Sequence, residues 1–366
     1  MQPSRTTVLL GLCFLLPACG SGEGDGDGTG TGTDGPGVFP DYVPTFTVIA
    51  GASDGVDAPQ DLDFQPAADR ALELWVINQG TEDSGSEVVI LFDTSDPATE
   101  IEVRQDDNAW HFMNLTTALA FSDDTENFAT SPEVTDANHS GGTFTGPSLW
   151  SSDLDVFAMP SGANGSHLDM LHQSPNSMGI AHEREDAYWV FDGYADELVH
   201  YDFNSDHGPG ADDHSDGEVK RYSEVPIERV SGTPSHLVVD DATGWLYICD
   251  TANGQVLRMD IESGAIAEDL PFNFESLAVF AQMEGELWEV FATGLDQPSG
   301  IDLDATRLYV TDNATGEIIA YDLATGAEVG RMPTEADDIL GIKAGPDGLL
   351  YFVDRQQDQI VRIDQG

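Results

Sequence analysis

Along most of the chain, an aromatic and β-branched run ends in aspartate or asparagine, passes a short polar turn, and is followed by a second such run. Leu246-Tyr-Ile-Cys-Asp250 with Gln255-Val-Leu-Arg-Met-Asp260 sets the plan. Leu308-Tyr-Val-Thr-Asp312 with Glu317 to Asp322, Leu350-Tyr-Phe-Val-Asp354 with Gln359 to Asp364, and Tyr188-Trp-Val-Phe-Asp192 with Glu197 to Asp202 repeat it. Leu74-Trp-Val-Ile-Asn78 with Val88 to Asp93 is a looser copy. Runs of this composition, bounded by turn residues, predict pairs of antiparallel strands.

Each pair is preceded by another short apolar run after a turn signal. Pro298-Ser-Gly-Ile-Asp-Leu, Pro234-Ser-His-Leu-Val-Val, Ser177-Met-Gly-Ile-Ala-His, Ile339-Leu-Gly-Ile-Lys-Ala and Pro59-Gln-Asp-Leu-Asp-Phe align, and Leu115 to Phe121 supplies a degenerate sixth. The residue before the aligned Leu or Ile marks each copy: Asp61, Ala118, Gly179, His236, Gly300 and Gly341. The shortest interval, from Gly300 to Gly341, is that of a four-stranded repeat of about 40–50 residues; the longer ones carry insertions. Blade 2 departs most, with Ser131 in place of the turn aspartate and an insertion over 133–148.

The repeated P-x-G-I and L-Y-V-x-D elements resemble NHL repeats over residues 44 to 366. The resemblance implies an all-β fold, a six-bladed β-propeller. The last copy ends after its third strand, and Thr45-Phe-Thr-Val-Ile-Ala50 stands where a fourth strand is missing. The N-terminal strand is therefore expected to complete the last blade and remove the open edge.

Ahead of the repeats, the apolar run Val8 to Leu16 is too short to span a bilayer and ends in Leu16-Pro17-Ala18-Cys19. This resembles the bacterial lipobox, which implies cleavage after residue 18 and acylation of Cys19. Residues 20–37 are half glycine, interleaved with Ser, Thr, Asp and Glu, and have nothing to bury. The expected organisation is a signal peptide at 1–18, a lipidated cysteine and flexible tether at 19–38, and a propeller at 39–366. Such a tether spans roughly 23 Å on average. Gly20 stands where enteric lipoproteins kept at the inner membrane carry aspartate, so the expected address is the cell envelope at the outer membrane. Of the three cysteines only Cys249 would remain in the folded body, so no internal disulfide is expected there. Its apolar neighbours predict a buried hydrophobe.

Charge narrows the partners. With 67 acidic and 13 basic residues the formal net charge is -54, which repels phosphate backbones and excludes nucleic acid. A monomer is expected, with its bilayer contact through Cys19 and a small ligand, metal ion or protein bound at the propeller rim.

The repeated aspartates are expected to bind turn N–H groups, one per blade. Histidines break the repeat. His236 replaces glycine at the marker, and Asp61 takes the same position in blade 1. His111 and His172 lie seven residues upstream of their markers. Three imidazoles and a carboxylate converging on the axis would suit Zn²⁺ or Cu²⁺. Glu133 and Arg229 are candidate acid–base partners on neighbouring loops. A second candidate is the loop from Asp202 to Asp216, where Asp202, Asn204, Asp206 and Asp213 approach the spacing of a Ca²⁺ loop. His207 stands where that loop needs glycine. This loop is expected on the face opposite His236, so the two candidates should not share an ion.

Three functions fit: a structural surface protein with no small ligand, a binding or interaction module without catalysis, or a metal-dependent lyase or hydrolase. The last resembles the peptidyl-hydroxyglycine lyases, six-bladed propellers with an axial zinc whose His precedes the repeat's glycine. Here the order is Pro234-Ser235-His236.

Overall fold

The structure, a computed structural model, describes residues 39–160, 162–211 and 213–366. The signal segment, Cys19 and the tether lie outside the described residues. Among the described residues no helix is long and apolar enough to cross a membrane.

Six sheets, each with a four-stranded antiparallel core, form the six blades of an all-β propeller. Blade 1 runs through Pro59–Phe64, Leu74–Thr81, Gly85–Leu91 and Ile101–Arg104, from innermost to outermost strand. Blade 2 uses Thr116–Phe121, Asn127–Pro132, Ser148–Ser151 and the two-residue Asp169–Met170. Blades 3, 4, 5 and 6 begin at the inner strands Ser177–Arg184, Leu237–Asp240, Pro298–Leu303 and Ile339–Ala344. Blade 6 takes its outermost strand from Pro44–Gly51, antiparallel to Gln359–Gln365, with Thr45 opposite Asp364 and Val48 opposite Val361. The Thr47 hydroxyl adds a 2.5 Å hydrogen bond to the Asp364 carboxylate. The ring thus closes by the strand that the sequence predicts.

The apolar runs are unbroken because both faces of each blade are covered. Six apolar clusters fill the six spaces between neighbouring blades, from Trp75, Phe128 and Trp150 between blades 1 and 2 to Leu62, Val76, Tyr351 and Val353 between blades 6 and 1. Trp75, Trp150 and Trp189 are fully buried. Each large side chain so placed contributes about 1.5–3 kcal/mol relative to exposure. Cys249 belongs to the cluster between blades 4 and 5, and burial pushes its thiol well up from its ordinary range.

Toward the axis the blades crowd together. A Cβ on Gly300 would lie 2.2 Å from the Leu340 carbonyl oxygen, and one on Gly341 would lie 2.5 Å from Asp61 Oδ1. The marker glycine is therefore a matter of close backbone approach. The repeated aspartates staple the loops leading to the inner strands. Asp312 accepts the N–H groups of Asp296 and Gln297 at 2.7 and 3.0 Å, and Asp250 accepts that of Glu228 at 2.9 Å.

The insertion in blade 4 makes a hairpin, Ala265–Asp269 with Val279–Glu284, that leaves its own blade. Val279–Glu284 pairs in parallel with Glu218–Tyr222, the outer strand of blade 3, and extends that sheet to six strands. At the hairpin's return, buried Glu286 lies beside Glu224, which accepts the Gly285 N–H at 2.8 Å. Burial and the neighbouring Glu224 carboxyl push Glu286 up to about 7 from an ordinary 4.5. As pH rises, the unfolded chain loses this proton first while the folded state retains it, so stability falls between about pH 4.5 and 7 and then levels. Glu286→Gln should remove that part of the fall. Melting temperatures from pH 5 to 8 should show the variant gaining on the wild type up to about pH 7; parallel curves would refute the assignment.

Candidate functional site

Among the described residues, two polar hollows gather the candidate side chains. The first, about 400 Å³, is the axial channel lined by the inner strands of all six blades. Two residues beyond the marker, the side chains facing it include Asp63, Ala120, Ala181, Val238, Asp302 and Lys343. Lys343, one of two lysines in the chain, sets its Nζ 3.0 Å from Asp63 Oδ1 and 3.5 Å from Asp302 Oδ1, carboxylates supplied by the blades on either side. Backbone N–H groups of Phe121 and Ala344 satisfy the other carboxylate oxygens, at 3.0 and 2.7 Å. Burial disfavours the Lys343 ammonium, but the charges of Asp302 and Asp63 outweigh this and raise its pKa. Burial raises Asp302, and raises Asp61 more strongly.

His236 lies at the depth of this channel. Its Nε2–H donates to the Thr117 carbonyl at 3.0 Å, and its Nδ1 lies 3.5 Å from Asp61 Oδ1. Burial lowers its pKa to about 4, so the ring is neutral at physiological pH. An axial zinc of the kind the lyase resemblance implies does not fit these residues. One His236 nitrogen faces a carbonyl, and an ammonium already neutralises the nearby carboxylates.

The second hollow, about 270 Å³, lies where blades 2 and 3 receive loops from their neighbours. Four imidazoles line it: His111, His167, His172 and His214. His111 rides on the short helix Ala109–Phe112, between the outer strand of blade 1 and the inner strand of blade 2. His167 and His172 flank the outer strand of blade 2, and His214 comes from the loop before Glu218–Tyr222. Glu275 arrives from the blade 4 insertion. Its carboxylate accepts His172 Nδ1–H at 2.6 Å, the His172 backbone N–H at 2.9 Å and Gln173 Nε2–H at 3.3 Å.

The rings are firmly seated. His172 stacks on Phe144 with centroids 3.7 Å apart, and His167 stacks on Phe112 at 3.6 Å. Asp169 accepts His214 Nδ1–H at 2.6 Å. Burial lowers His167 to about 4 and also lowers His111. Burial raises Glu275, but the His172 hydrogen bond outweighs it and leaves the carboxyl below its ordinary range. Among the described residues, His172, His214 and Glu275 are the group whose ligand atoms lie within 4.8 Å of one another.

The expected quartet is thus divided. His236 and Asp61 meet at the axis, whereas His111 and His172 meet in the second hollow, their ring centroids 6.3 Å apart. The physical reason is the crossing between blades. Seven residues before the marker, the chain has not yet reached the next inner strand: His172 follows the outer strand Asp169–Met170 by two residues, and His111 rides the helix between Arg104 and Thr116. Arg229, on such a crossing, pairs at 3.2 Å with Glu133, from the loop between the second and third strands of blade 2.

The expected Ca²⁺ ligands are not gathered either. Asp202 accepts the Asn204 N–H at 3.0 Å and pairs with Arg184 at 3.1 Å. Asp206 and Asp213 bind the N–H groups of Gly208 and Ser215 at 2.6 and 3.1 Å, and Asn204 Nδ2 donates to the Asp216 carbonyl at 2.9 Å. Each side chain serves its own turn. The same loop nevertheless delivers His214 beside His172, so residues from the two expected sites do share one place.

Reading the sequence alone missed Glu275, His167 and His214 in the second hollow, and Asp63, Asp302 and Lys343 at the axis. The axial trio had a visible signal: it occupies one repeated position, and lysine is scarce.

No protein-family model and no curated protein matches the chain. Its fold is shared by solved structures: it is a six-bladed β-propeller. An auxiliary nutrient binding protein from Bacteroides ovatus aligns with TM-score 0.57 at 10% identity, over 88% of this chain and 77% of that one. Its counterpart from Bacteroides thetaiotaomicron gives 0.56 at 10%, over 88% and 77%. The calcium-binding protein regucalcin from Agrobacterium tumefaciens gives 0.52 at 15%, over 87% and 92%.

Removing the axial ammonium should leave two buried carboxylates without their shared partner. Lys343→Met is expected to lower unfolding free energy by about 3 kcal/mol. Adding Asp302→Asn should restore part of the loss. Urea denaturation measures both, and an unchanged midpoint in the single variant would show that the channel solvates the carboxylates by itself.

Proposed function

We propose that this chain is an envelope-anchored binding module, held to the bilayer by acylated Cys19 and presenting the imidazole pocket of blades 2 and 3 as its binding site. One observation carries this reading. His172 Nε2 is buried with no hydrogen-bond partner, although the ring's other nitrogen, its backbone N–H and its stacking face are all engaged. Polar atoms left in that state are costly unless something binds them.

The donor set favours Zn²⁺ or Cu²⁺ over Ca²⁺, because imidazole suits the former and calcium takes oxygen ligands. Binding proteins among the propellers of similar fold, a nutrient binder and a calcium binder by name, agree with the class. A metal-dependent lyase or hydrolase is the second reading. It draws on Asp169 Oδ2, also buried without a partner beside His214 and available as a base.

Protein purified without chelators should carry a bound species, read by elemental analysis and native mass spectrometry. His172→Ala should lose it while keeping the wild-type circular dichroism spectrum. A wild-type protein with no bound metal or small molecule, and no uptake of either, would overturn the proposal. The anchor has its own test: Cys19→Ser should move the protein from the membrane pellet to the soluble fraction. Persistence in the pellet would exclude the acyl anchor.

A further inference from the structure

The six side chains that meet the axial channel two residues beyond the marker fall into two kinds, and the kinds are not mixed around the ring. Asp302, Lys343 and Asp63 come from blades 5, 6 and 1, which are neighbours. Ala120, Ala181 and Val238 come from blades 2, 3 and 4. One side of the hollow is therefore a row of acceptor, donor and acceptor, and the side across from it is an apolar wall.

The fold does not require these charges. Blades 2, 3 and 4 carry alanine or valine at the same repeat position and form the same inner strand. Replacing a buried ion pair by apolar residues of similar volume is often neutral or stabilising. Charges kept at three of six equivalent positions, and only on one side, call for a reason other than packing.

The trio also has bonding capacity to spare. An ammonium carries three N–H groups, and among the described residues Lys343 Nζ pairs with two carboxylates, at 3.0 and 3.5 Å. Its side chain is 29% exposed even though it stands on an innermost strand, because the channel opens beside it. Asp63 accepts from Lys343 and from the Phe64 and Phe121 N–H groups. Asp302 accepts from Lys343 and from the N–H groups of Leu303 and Ala344. Each carboxylate offers about four lone-pair positions, so one remains on each.

This spare capacity selects a ligand. A free anion would meet the two carboxylates, and a free cation would compete with an ammonium already seated between them. A hydroxyl suits both neighbours: its oxygen accepts from the N–H, and its hydrogen goes to the carboxylate alongside. A ring with hydroxyls on its rim and C–H groups on its face would also cover Ala120, Ala181 and Val238. The hollow, about 400 Å³, lies within the range of small-ligand sites, roughly 300–1,000 Å³.

We infer that the axial channel is a binding site for a small neutral polyhydroxylated ring, a monosaccharide or cyclitol. Lys343, Asp63 and Asp302 hold its hydroxyl edge, and the wall of blades 2, 3 and 4 receives its apolar face. The site is separate from the imidazole pocket and needs no ion.

The test screens the full chain by saturation-transfer difference NMR against neutral hexoses, pentoses and inositols. Glucosamine and glucuronate serve as cationic and anionic counterparts, Ca²⁺ is the competitor, and calorimetry gives the affinities. At least one neutral ring should bind ahead of both charged counterparts, resist Ca²⁺, and raise the melting temperature as its concentration rises. Val238→Phe, which fills the channel and leaves every charge in place, should abolish binding while keeping the wild-type circular dichroism spectrum. Lys343→Met should weaken it about 10–100-fold by removing a charged donor.

The inference is overturned if no neutral ring binds the wild type, or if a charged counterpart or Ca²⁺ takes the site in preference. Binding that survives undiminished in both Val238→Phe and Lys343→Met would also end it. A ring whose binding is lost in His172→Ala and kept in Val238→Phe belongs to the imidazole pocket; that result would overturn the axial site and support the binding module.

Discussion

Every blade of this propeller is apolar on both faces, and no blade can bury both faces alone. That constraint governs the rest. Each sheet needs a neighbour on each side, so the stack must close into a ring, and closure needs a fourth strand for the last blade. The N-terminal strand supplies it, with Val48 opposite Val361 and Thr47 bonded to Asp364. Closure completes the last blade and leaves only short edges protected at the axis, where the inner strands' backbones nearly touch.

Polar groups are then confined to two kinds of place. At the axis, where large apolar side chains do not fit, polar groups from different blades satisfy one another: the Lys343 ammonium between the Asp63 and Asp302 carboxylates, and the neutral His236 ring between the Thr117 carbonyl and Asp61. At the periphery, crossings and insertions are free of the repeat's packing rule and can carry functional groups. The imidazole pocket belongs to this second kind. Its rings come from crossings and loops, and its key carboxylate comes from an insertion that abandons its own blade.

The same division explains what could be read in advance. Repetition of Leu-Tyr-Val-x-Asp segments exposed the blade count, because identical burial demands identical patterns. The strand at 44–51 was legible for the same reason, as its residues complete an otherwise truncated unit. His111 and His172 were visible as breaks in the repeat, but their place was misjudged. Alignment to a marker gives a residue's phase in the repeat; radial distance from the axis depends on where the crossing turns inward.

The amino-acid sequence by itself determined six like units, their order and their closure, since these follow from local pattern and strand periodicity; the repeated aspartates Asp250 and Asp312 hold the loop before the inner strand rather than the turn they begin. Only tertiary structure decided that Glu275 would meet His172, 103 residues away, and that His214 would join it from a loop with another apparent purpose. Such meetings depend on the path of insertions between blades, and that path is set by the three-dimensional fit of neighbouring sheets, for which no single segment carries a pattern.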